Sequence, residues 1–507
     1  MGYQASTSLR SSVRNHPSSL ANRQVVTDYV VREVAAGRMV GPLGSLEGAV
    51  HCSPIGLVPK GRGTGQWRMI VDLSHPLGRS VNDGISSLLC SLRYSSLDDA
   101  LSFVKQLGLG TVLIQVDLRS AYRLVPVHPQ DRHLFGINWE GQVYVDQALP
   151  FGLRSAPKLF TAVADAVGWA LWQAGITLHI HYLDDFLFFV PPSAHSGHAV
   201  LAHVLGMLDW LGVPVAHHKI EGPAPVVSFL GIIIDTIRFE LRLPDDKIRY
   251  IQGRLQRWIG RRTGDRSDFE SLLGHLSHAA SVVRQGRIFL RHLFIALSAA
   301  QPPRRYVHLS EAARADLRWW ACFLVHWNGL MFFRDLPVPS AHIYTDASGS
   351  FGCGGVWLPC HWFQLRWPPS WEDVDISVKE LVPIVVAAAL WGRHWRYLHI
   401  RFHSDNMSVV LILQNNSASN LTAHHLLRCL YFYAAFYQFE YSVEHVPGVS
   451  NTAADALSRG NLHVFHSLIP QAVCTEVPAA VVQMFLHQPD WGSAQWISLF
   501  SNTLRIP

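Results

Sequence analysis

The sequence predicts a multidomain α+β protein, and three observations lead to this fold class. Short β-rich runs alternate with helical stretches between Ile55 and Asp235, a helical window follows from Lys247 to Arg305, and a second alternating segment begins at Ala341. The chain has 507 residues and is 49% hydrophobic, which at about 100–200 residues per domain gives roughly three or four domains with ordinary cores. A wholly disordered or fibrous protein is therefore excluded.

Changes in composition and periodicity divide the chain into five predicted segments. Residues 1–24 are rich in Ser, Asn and Arg without periodicity and are expected to be flexible, whereas Val25 to Met39 has a helical pattern. The last segment contains four prolines and no clear pattern, so no fold is assigned to it. The predicted segments are an N-terminal lead-in and helix (1–46), a mixed domain (47–245), a helical basic region (246–340), a second mixed domain (341–460) and a tail (461–507).

The elements of the two mixed domains follow from hydrophobic periodicity. Runs of β-branched and aromatic residues predict strands, and apolar residues at helical spacing predict helices. The predicted strands are 67–73, 111–117, 177–190, 226–235, 342–345 and 400–403, and the predicted helices include 156–174, 199–211 and 378–391.

The positive charge is concentrated in one window. The whole chain has a formal charge of +5, whereas Lys247 to Arg305 alone carries 12 basic and three acidic residues, a net charge of +9. The rest of the chain therefore carries −4, the difference between +5 and +9. One interpretation of the window is a set of solvated helix faces. The other is a surface that follows a phosphate backbone.

Composition also excludes several classes of protein. The seven cysteines are scattered and never form a CxxC pair, which argues against a disulfide scaffold or a zinc knuckle and is typical of a reducing compartment. No apolar run is long enough to span a membrane, and the start of the chain has no signal-peptide pattern. We therefore expect an intracellular protein, cytoplasmic or nuclear, that is neither secreted nor bound in a membrane.

Two adjacent acids interrupt an aromatic-rich apolar run. The sequence from His179 to Val190 predicts a β-hairpin with Asp184 and Asp185 at its tip. An Asp-rich tight turn is the alternative, since Asp tolerates turn conformations. Two carboxylates between buried strands repel each other unless a cation lies between them, so the pair also predicts a site for Mg²⁺.

A third acid, Asp117, ends another apolar β-run. An α/β sheet presents its chemistry at the carboxyl ends of its strands, although a helix N-cap ahead of Ser120 is an equal alternative. Hard oxygen ligands on neighbouring strands suit two divalent ions that clamp the attacking and leaving oxygens of a phosphoryl transfer. Asp117, Asp184 and Asp185 therefore form the first candidate set of metal ligands.

Four further acids stand out in the second mixed domain, and each also has a structural interpretation. Asp346 would shape a turn, Asp405 would cap the helix after its strand, and Asp455 would stabilise a first helical turn. Ser377 and Glu380 form an S-x-x-E capping box. Capping a helix and binding a metal require different rotamers of Glu380. The residue can therefore have only one of these roles, and we favour metal binding.

Motifs in the first mixed domain resemble those of retroelement reverse transcriptases, in the same order along the chain. The resemblance implies a right-hand polymerase, with fingers and palm over residues 47–245 and a basic thumb and connection over residues 246–340. The motifs are Val116-Asp-Leu-Arg-Ser-Ala-Tyr122, Leu149-Pro-Phe-Gly-Leu-Arg-Ser-Ala-Pro157, Tyr182-Leu-Asp-Asp185, Lys219 and Phe229-Leu-Gly231, with Ser53 to Lys60 and Trp67 to Leu73 upstream.

The resemblance assigns roles to the acids and to one aromatic residue. In this family the Asp117 and Asp184 positions bind the catalytic metals, and Asp185 is a supporting acid beside them. Tyr122 matches the bulky steric gate that crowds a ribose 2′-hydroxyl and so favours dNTPs. An ordinary core aromatic is the alternative for Tyr122.

Five further positions match the nucleotide-binding residues of the family. Lys60 and Arg68 resemble the finger cations that hold the incoming triphosphate, where a forked guanidinium suits phosphate, although basic loop residues are usually only solvated. Phe151 and Gly152 fall where the family shapes the nucleotide pocket, and Phe is the retrotransposon-type variant there. Lys219 matches a lysine proposed to protonate the departing pyrophosphate, and the two histidines directly before it weaken this match.

The four acids of the second mixed domain resemble the cluster of ribonuclease H, which binds two divalent ions and cuts the RNA strand of an RNA–DNA hybrid. Their spacings are 34, 25 and 50 residues. His445, ten residues before Asp455, matches a mobile histidine that assists product release or proton transfer. The resemblance implies a ribonuclease H-like α/β domain. Pro383 departs from an ordinary helix pattern, but near a first turn its cost is small.

Segments between the motifs look most like DIRS-type retrotransposons, which integrate with a tyrosine recombinase. Examples are Leu272-Leu-Gly-His-Leu276 and Trp319-Trp320. The ending around Pro489-Asp-Trp491 resembles the approach to that recombinase, which implies a piece of a longer polyprotein.

The resemblance as a whole implies an RNA-directed DNA polymerase with ribonuclease H activity. The implied cofactor is Mg²⁺, two ions per active site, with Mn²⁺ as an alternative. The implied partners are an RNA template, a DNA primer, an RNA–DNA hybrid and dNTPs, with the basic helices gripping the primer and template. The alternative is a decayed or domesticated copy that binds nucleic acid without catalysis. Tyr122 and the ribonuclease H acids disfavour an RNA-dependent RNA polymerase.

Overall fold

The chain forms two compact units. The first comprises Met1–Leu230 with Ile234–Phe239, and the second comprises Gly231–Ile233 with Glu240–Pro507. The five predicted segments divide the chain more finely than these units and stay a prediction. The structure is a computed structural model, and the residues that it describes are 2–4, 14–43, 50–59, 65–192, 196–301, 305–327, 331–332, 339–358, 361–396, 398–415, 418 and 420–486.

The N-terminal residues are part of the first unit. Val26 and Val30 are buried in the same core as Ile55. Ser19 is fully buried and donates its hydroxyl to the carbonyl of Ile55. The expected flexibility of residues 14–24 is therefore wrong. These residues are polar, but they include a short helix that packs on this core. The elements are α1 (Pro17–Ala21), α2 (Arg23–Ala35) and β1 (Met39–Leu43).

The rest of the first unit alternates strands and helices, as predicted. The predicted strands at 111–117 and 177–190 and the helices at 156–174 and 199–211 are present within a few residues of their predicted bounds. The elements are β2 (Ile55–Pro59), β3 (Trp67–Val71), α3 (Leu97–Leu107), β4 (Val112–Asp117), β5 (Gly136–Trp139), β6 (Gln142–Asp146), α4 (Ala156–Gln173), β7 (His179–Tyr182), β8 (Asp185–Val190), α5 (Ser196–Trp210), β9 (Glu221–Ala224), β10 (Val226–Phe229) and β11 (Ile232–Asp235).

An antiparallel sheet with the strand order β7-β8-β4-β9 supports the first candidate site. Its inner strands β4 and β8 are apolar along most of their length, and Ile114, Val116, Phe186 and Phe188 are all fully buried. They share a core with residues of α4 and α5. Each buried side chain of this size contributes about 1.5–3 kcal/mol. The sheet therefore holds the ends of β4 and β8 in fixed register.

The basic window is helical, as predicted, and part of its charge is used inside the fold. Arg254 is 2% exposed and donates to the hydroxyl of Ser271 and to Asp268. Two more arginines of the window, at 266 and 305, form ion pairs with acids at 270 and 265. Arg254 is therefore not available to an outside partner, whereas the exposed charges of the window are. The elements are β12 (Glu240–Arg242), α6 (Asp245–Ile259), β13 (Thr263–Asp265), α7 (Arg266–Ala279), α8 (Arg291–Ala299), β14 (Tyr306–His308), α9 (Glu311–Trp327) and β15 (Met331–Phe332).

A six-stranded mixed sheet organises the remainder of the second unit. Its strand order is β20-β19-β16-β17-β18-β21, with β16, β19 and β20 parallel to one another and β17 antiparallel to its neighbours. The elements are β16 (Ala341–Ala347), β17 (Gly352–Trp357), β18 (His361–Arg366), α10 (Ile376–Lys379), α11 (Leu381–Trp391), β19 (His399–Ser404), α12 (Met407–Asn415), α13 (Leu421–Tyr437), β20 (Glu440–His445), α14 (Thr452–Ser458), α15 (Leu462–Leu468), β21 (Val473–Cys474) and α16 (Ala479–Leu486).

No helix within the described ranges combines the length and the apolar composition that crossing a bilayer needs. The most apolar helix, α11, instead lies inside the second unit, where Leu381, Val385 and Ala388 are buried.

Two candidate metal centres

The first centre lies where β4 ends and β8 begins. The two strands are antiparallel, and their register places Asp117 directly opposite Asp185. Asp184 occupies the turn between β7 and β8, and its carbonyl accepts the amide of Leu118 at 3.0 Å. The predicted hairpin with two acids at its tip is therefore confirmed, and the fold brings the third acid to the same point.

The electrostatics of this centre favour a bound cation. Burial, followed by the charges of Asp184 and Asp117, raises the pKa of Asp185 to about 6. Burial also raises the pKa of Asp184. Lys219 compensates part of this negative charge, since its Nζ is 2.8 Å from Oδ2 of Asp117. Hard carboxylate oxygens with excess negative charge are the ligands that a divalent ion prefers.

Asp117 does not cap a helix, which was the alternative interpretation. The 3₁₀ turn Ala121–Leu124 is preceded by Ser120, which has a left-handed backbone (φ 58°) and no capping hydrogen bond from its side chain. Tyr122 in this turn is half-buried, with its ring centroid 5.2 Å from that of Phe151 and 5.5 Å from that of Phe160. Burial, with the nearby charge of Asp184, raises its pKa to about 12, so the phenol stays neutral.

Gly152 adopts a backbone that only glycine tolerates well. Its φ is +96°, and a Cβ at this position would lie 2.5 Å from the carbonyl oxygen of Val71. The buried amide of Asn82 fixes the same loop by donating to the carbonyl of Gly152 at 2.9 Å and accepting the amide of Arg154 at 2.8 Å. Sequence reasoning missed Asn82, because its burial and its two hydrogen bonds depend on tertiary packing.

The predicted finger cations differ in what the structure describes. Arg68 is exposed on β3, opposite Val58 in the β2–β3 hairpin. Its positive charge acts to lower the pKa of Asp184, against the larger effect of burial. Lys60 lies outside the described residues.

The second centre brings together three of the four predicted acids. Asp346 lies in β16, Glu380 between α10 and α11, and Asp405 directly after β19. One ligand oxygen from each lies within 4.8 Å of the others. Oε2 of Glu380 is buried and has no hydrogen-bond partner among the described residues. A buried carboxylate oxygen without a partner is costly, and a divalent cation would satisfy it.

Burial and mutual repulsion shape the titration of this centre. Burial, followed by the charges of Asp346 and Asp405, raises the pKa of Glu380 to about 9. Burial, with the charges of Asp405 and Asp455, raises the pKa of Asp346 to about 6. Without a cation Glu380 therefore keeps a proton at neutral pH, and a cation would displace it.

The structural alternatives for these acids are mostly wrong. Asp375, not Ser377, caps α10, since its carboxylate accepts the amide of Ser377 at 2.8 Å, so no capping box involves Glu380. Asn406, not Asp405, caps α12 by accepting the amides of residues 408 and 409. Asp346 lies within a strand rather than a turn.

Pro383 falls in the first turn of α11, where its missing amide costs little. It cannot donate to the carbonyl of Lys379, and the helix is interrupted one residue later, at Glu380. This interruption separates α10 from α11 at the carboxylate that faces the other two acids. Pro383 therefore favours the break in the helix at which Glu380 meets Asp346 and Asp405.

The remaining two predicted residues lie at the edge of the centre. Asp455 is in the first turn of α14, as its structural interpretation predicted, and accepts Nε of Arg459 at 2.6 Å. Nε2 of His445 is 3.2 Å from the carbonyl oxygen of Asp405. Sequence reasoning missed Asn451, a buried amide that donates to the carbonyl of Thr345 at 3.0 Å and so fixes α14 beside Asp346.

The segment that carries the first centre is similar to known sequences. Residues 58–234 match the family described as Reverse transcriptase (RNA-dependent DNA polymerase). The chain is 29% identical over 189 residues to the Gag-Pro-Pol polyprotein of Squirrel monkey retrovirus, which covers 35% of this chain and 9% of that polyprotein. It is 24% identical over 477 residues to the Transposon Tf2-3 polyprotein of Schizosaccharomyces pombe, which covers 89% of this chain and 32% of that polyprotein. The chain thus spans at most about a third of these relatives.

Solved structures share the fold. A foamy viral protease-reverse transcriptase dRH in complex with ds DNA aligns over 87% of this chain and 72% of its own, with 18% identity and a TM-score of 0.51. A foamy viral protease-reverse transcriptase in complex with dsDNA aligns over 87% and 86%, with 16% identity and a TM-score of 0.50. The predicted fold class, a right-hand polymerase followed by a ribonuclease H-like α/β domain, is therefore confirmed. Residues 58–234 are therefore similar to the reverse transcriptase domains of retroelement polyproteins.

Proposed function

We propose that the chain is an RNA-directed DNA polymerase with ribonuclease H activity, which copies retroelement RNA into DNA and degrades the RNA strand of the hybrid. The observation that carries the proposal is the pairing of Asp117 with Asp185 across two buried strands, with Asp184 beside them. Like charges this close are stable only beside cations or protons. We further propose that the chain comes from a DIRS-type retrotransposon, as the segments between its motifs suggest.

Two Mg²⁺ ions per site, with Mn²⁺ as a substitute, are the proposed cofactors. Asp117 and Asp184 would hold them in the polymerase centre, with Asp185 in support. When bound, such ions neutralise charge on a reacting phosphate and lower the pKa of an attacking hydroxyl or water. In the second centre the four acids of the ribonuclease H resemblance, Asp346, Glu380, Asp405 and Asp455, would hold the ions.

In the polymerase centre, the proposed reaction joins the 3′-oxygen of a primer to the α-phosphate of a dNTP and releases pyrophosphate. Tyr122, packed against Phe151, would close the pocket at the 2′ position of the sugar. Arg68, with Lys60, would hold the triphosphate through charge-assisted hydrogen bonds. Lys219 lies beside Asp117, where it could give its proton to the leaving pyrophosphate. Gly152 would let the loop approach the nucleotide closely.

In the second centre, the proposed reaction is hydrolysis of a phosphodiester bond in the RNA strand. His445 lies at the edge of the cluster, against the backbone of Asp405, and is exposed. Imidazole is the side chain that most often transfers protons in catalysis. We therefore assign it the transfer of a proton or the release of product.

Nucleic acid is the proposed macromolecular partner. Arg249, Arg257, Arg261 and Arg262 of α6 and the turn after it are exposed, and contacts between such side chains and phosphates release counterions. The two structures of similar fold hold double-stranded DNA. We propose that this chain holds an RNA template with a DNA primer, and then the RNA–DNA hybrid. Other domains of a longer polyprotein, including a recombinase, are further proposed partners.

Primer extension on an RNA template with dNTPs and Mg²⁺ tests the polymerase. Asp185→Asn is expected to lower the rate by at least about a hundredfold, which corresponds to about 2.7 kcal/mol in the barrier. Asp209→Asn, an exposed acid on α5, is the matched control and should extend primers at the wild-type rate. No extension by the wild-type chain, or equal extension by Asp185→Asn, would refute the polymerase.

Cleavage of a labelled RNA–DNA hybrid tests the second activity on the same preparations. Asp405→Asn is expected to abolish cleavage while it leaves primer extension intact, and Asp185→Asn is expected to do the reverse. Asp373→Asn, an exposed acid before α10, is the control. Hybrid cleavage that persists in Asp405→Asn would refute the second site. Binding of the hybrid without either activity would support the decayed or domesticated copy.

A further inference from the structure

An arginine next to Tyr122 has no part in the proposed chemistry, yet it is almost fully buried. Arg123 lies in the 3₁₀ turn Ala121–Leu124 and is 7% exposed. Burying a guanidinium is costly unless opposite charges and hydrogen bonds compensate it. Its position therefore depends on a specific set of partners.

The guanidinium of Arg123 joins three separate segments of the first unit. Nε donates to Oε2 of Glu33 in α2 at 3.1 Å, and Nη1 donates to the carbonyl of Ala148 at 3.0 Å. Nη2 donates to the carbonyl of Arg38 at 3.2 Å and to Oδ1 of Asp146 at 2.5 Å. Arg38 in turn donates through Nε and Nη2 to both carboxylate oxygens of Glu33. The charges of two acids and two guanidiniums thus balance, with Glu33, Asp146 and Arg123 buried and Arg38 half-buried.

The acids of this network respond to it in opposite directions. Burial raises the pKa of Glu33, but the hydrogen bonds and charges of Arg38 and Arg123 outweigh it and hold that pKa below its usual value. Burial raises the pKa of Asp146 to about 6 in spite of Arg123. Glu33 therefore stays ionised beside Arg123 at lower pH than Asp146 does.

The contact with Ala148 bears directly on the candidate nucleotide pocket. The arginine follows Tyr122, and Ala148 lies three residues before Phe151, whose ring is 5.2 Å from that of Tyr122. The same two segments are joined by a backbone hydrogen bond from Leu149 to Val125 at 2.8 Å. The arginine thus adds a side-chain bond at the place where the segments carrying the two aromatic rings meet.

We propose that Glu33 and Arg123 are positioning residues that set the gap between Tyr122 and Phe151, and with it the preference for deoxyribose over ribose. The inference deepens the proposed function and rests on it. Glu33 lies outside residues 58–234, the part of the chain that matches the reverse transcriptase family. The N-terminal helix α2 is then a working part of the nucleotide pocket. Without its charge, the turn that holds Tyr122 relaxes and the ribose 2′-hydroxyl meets less resistance.

Glu33→Gln is the deciding variant, because it removes the charge and keeps the shape of the side chain. Asp28→Asn, at an exposed position on the same helix, is the matched control. The ratio of kcat/KM for a dNTP to that for the corresponding rNTP is expected to fall about tenfold in Glu33→Gln, within the range that one small substrate group contributes to discrimination. The fall should come from a lower KM for the rNTP, with kcat for the dNTP within about twofold of wild type. Arg123→Lys should shift the ratio in the same direction.

Amide hydrogen exchange gives a readout that does not need catalysis. Protection of residues 121–125 and 147–152 is expected to fall in Glu33→Gln and to stay at the wild-type level in Asp28→Asn. Unchanged discrimination in a folded Glu33→Gln variant would overturn the inference, and if that variant does not fold, the same result in Arg123→Lys would do so. A wild-type chain that extends no primer would refute the proposed function and the sugar preference together, while exchange would still decide whether Glu33 holds the two segments.

Discussion

Lys219 donates from Nζ to Oδ2 of Asp117 at 2.8 Å. An ammonium group is therefore hydrogen-bonded to an oxygen that would bind metal in the candidate polymerase centre. The side chain of Lys219 is 55% exposed, whereas that of Asp117 is 13% exposed. The lysine therefore reaches the carboxylate from solvent and can leave it without disturbing the core. Its charge offsets the repulsion among three acids that the sheet forces together.

We predict that Lys219→Met tightens divalent-metal binding at this centre. A cation that binds Asp117 must displace the ammonium, so the apparent Mg²⁺ Kd should fall by roughly threefold, the scale of a solvent-screened charge interaction. Calorimetric Mg²⁺ titration in an Asp405→Asn background, which disables the second centre, measures the change. Lys105→Met, at an exposed position in the last turn of α3, should titrate like wild type. Weaker Mg²⁺ binding in Lys219→Met would contradict the prediction.

The buried carboxyl of Glu380 predicts stability that depends on pH. Its pKa of about 9 in the fold is above its ordinary value of 4.5, so the folded chain binds the extra proton between these values. The free energy of unfolding therefore falls as pH rises through this window. In the presence of EDTA at pH 8.5, Glu380→Gln should be more stable than wild type by at least about 1 kcal/mol. At pH 5 the difference should be much smaller.

Urea unfolding followed by tryptophan fluorescence measures this difference. Glu372→Gln, an exposed acid in the same region, should change stability equally at both pH values. Added Mg²⁺ should stabilise wild type more than Glu380→Gln, because the cation replaces the proton on the cluster. A Glu380→Gln variant that is less stable than wild type at pH 8.5 with EDTA would show that the carboxylate is compensated by other groups.

The sequence was sufficient to locate the acids of both centres, because resemblance and periodicity agree on them. Asp117 and Asp185 end and begin strands whose apolar runs are strong signals. The register that places them opposite each other joins strands that are not consecutive along the chain, and it had to come from the structure. Local patterns were less reliable for caps. The S-x-x-E spacing at Ser377 suggests a capping box, but the competing carboxylate of Asp375 takes the cap two residues earlier.

Contacts between distant parts of the chain could not be predicted. The hydrogen bond from Arg123 to Glu33 joins residues 90 positions apart, and the sequence around either residue does not predict the other as its partner. Residues 14–24 looked flexible because polar residues dominate them, yet the buried hydroxyl of Ser19 depends on a core that forms elsewhere. Such placements depend on tertiary packing, which overrides local propensity.

The steric interpretation of Tyr122 predicts that size, not the hydroxyl, selects the sugar. Tyr122→Val should raise the kcat/KM for rNTPs at least about tenfold by opening space at the 2′ position. Tyr122→Phe keeps the ring that packs on Phe151 and should keep wild-type discrimination. Single-nucleotide incorporation with each dNTP and rNTP pair measures both. Equal loss of discrimination in Tyr122→Phe would assign selection to the hydroxyl instead.

The backbone of Gly152 predicts that even a methyl group is harmful there. Gly152→Ala places a Cβ 2.5 Å from the carbonyl oxygen of Val71, in a backbone with φ +96° that alanine rarely adopts. The loop must shift, so we expect a loss of more than about 1 kcal/mol in the free energy of unfolding and a higher KM for dNTPs. Gly206 is exposed in the middle of α5, with nothing within 4 Å of a new Cβ, so Gly206→Ala should instead stabilise the chain by about 0.5–1 kcal/mol.

Thermal unfolding and primer extension on Gly152→Ala and Gly206→Ala measure the contrast. Because both changes add the same methyl group, a Gly152→Ala variant that matches Gly206→Ala in both measurements would show that the loop does not need its close approach to Val71.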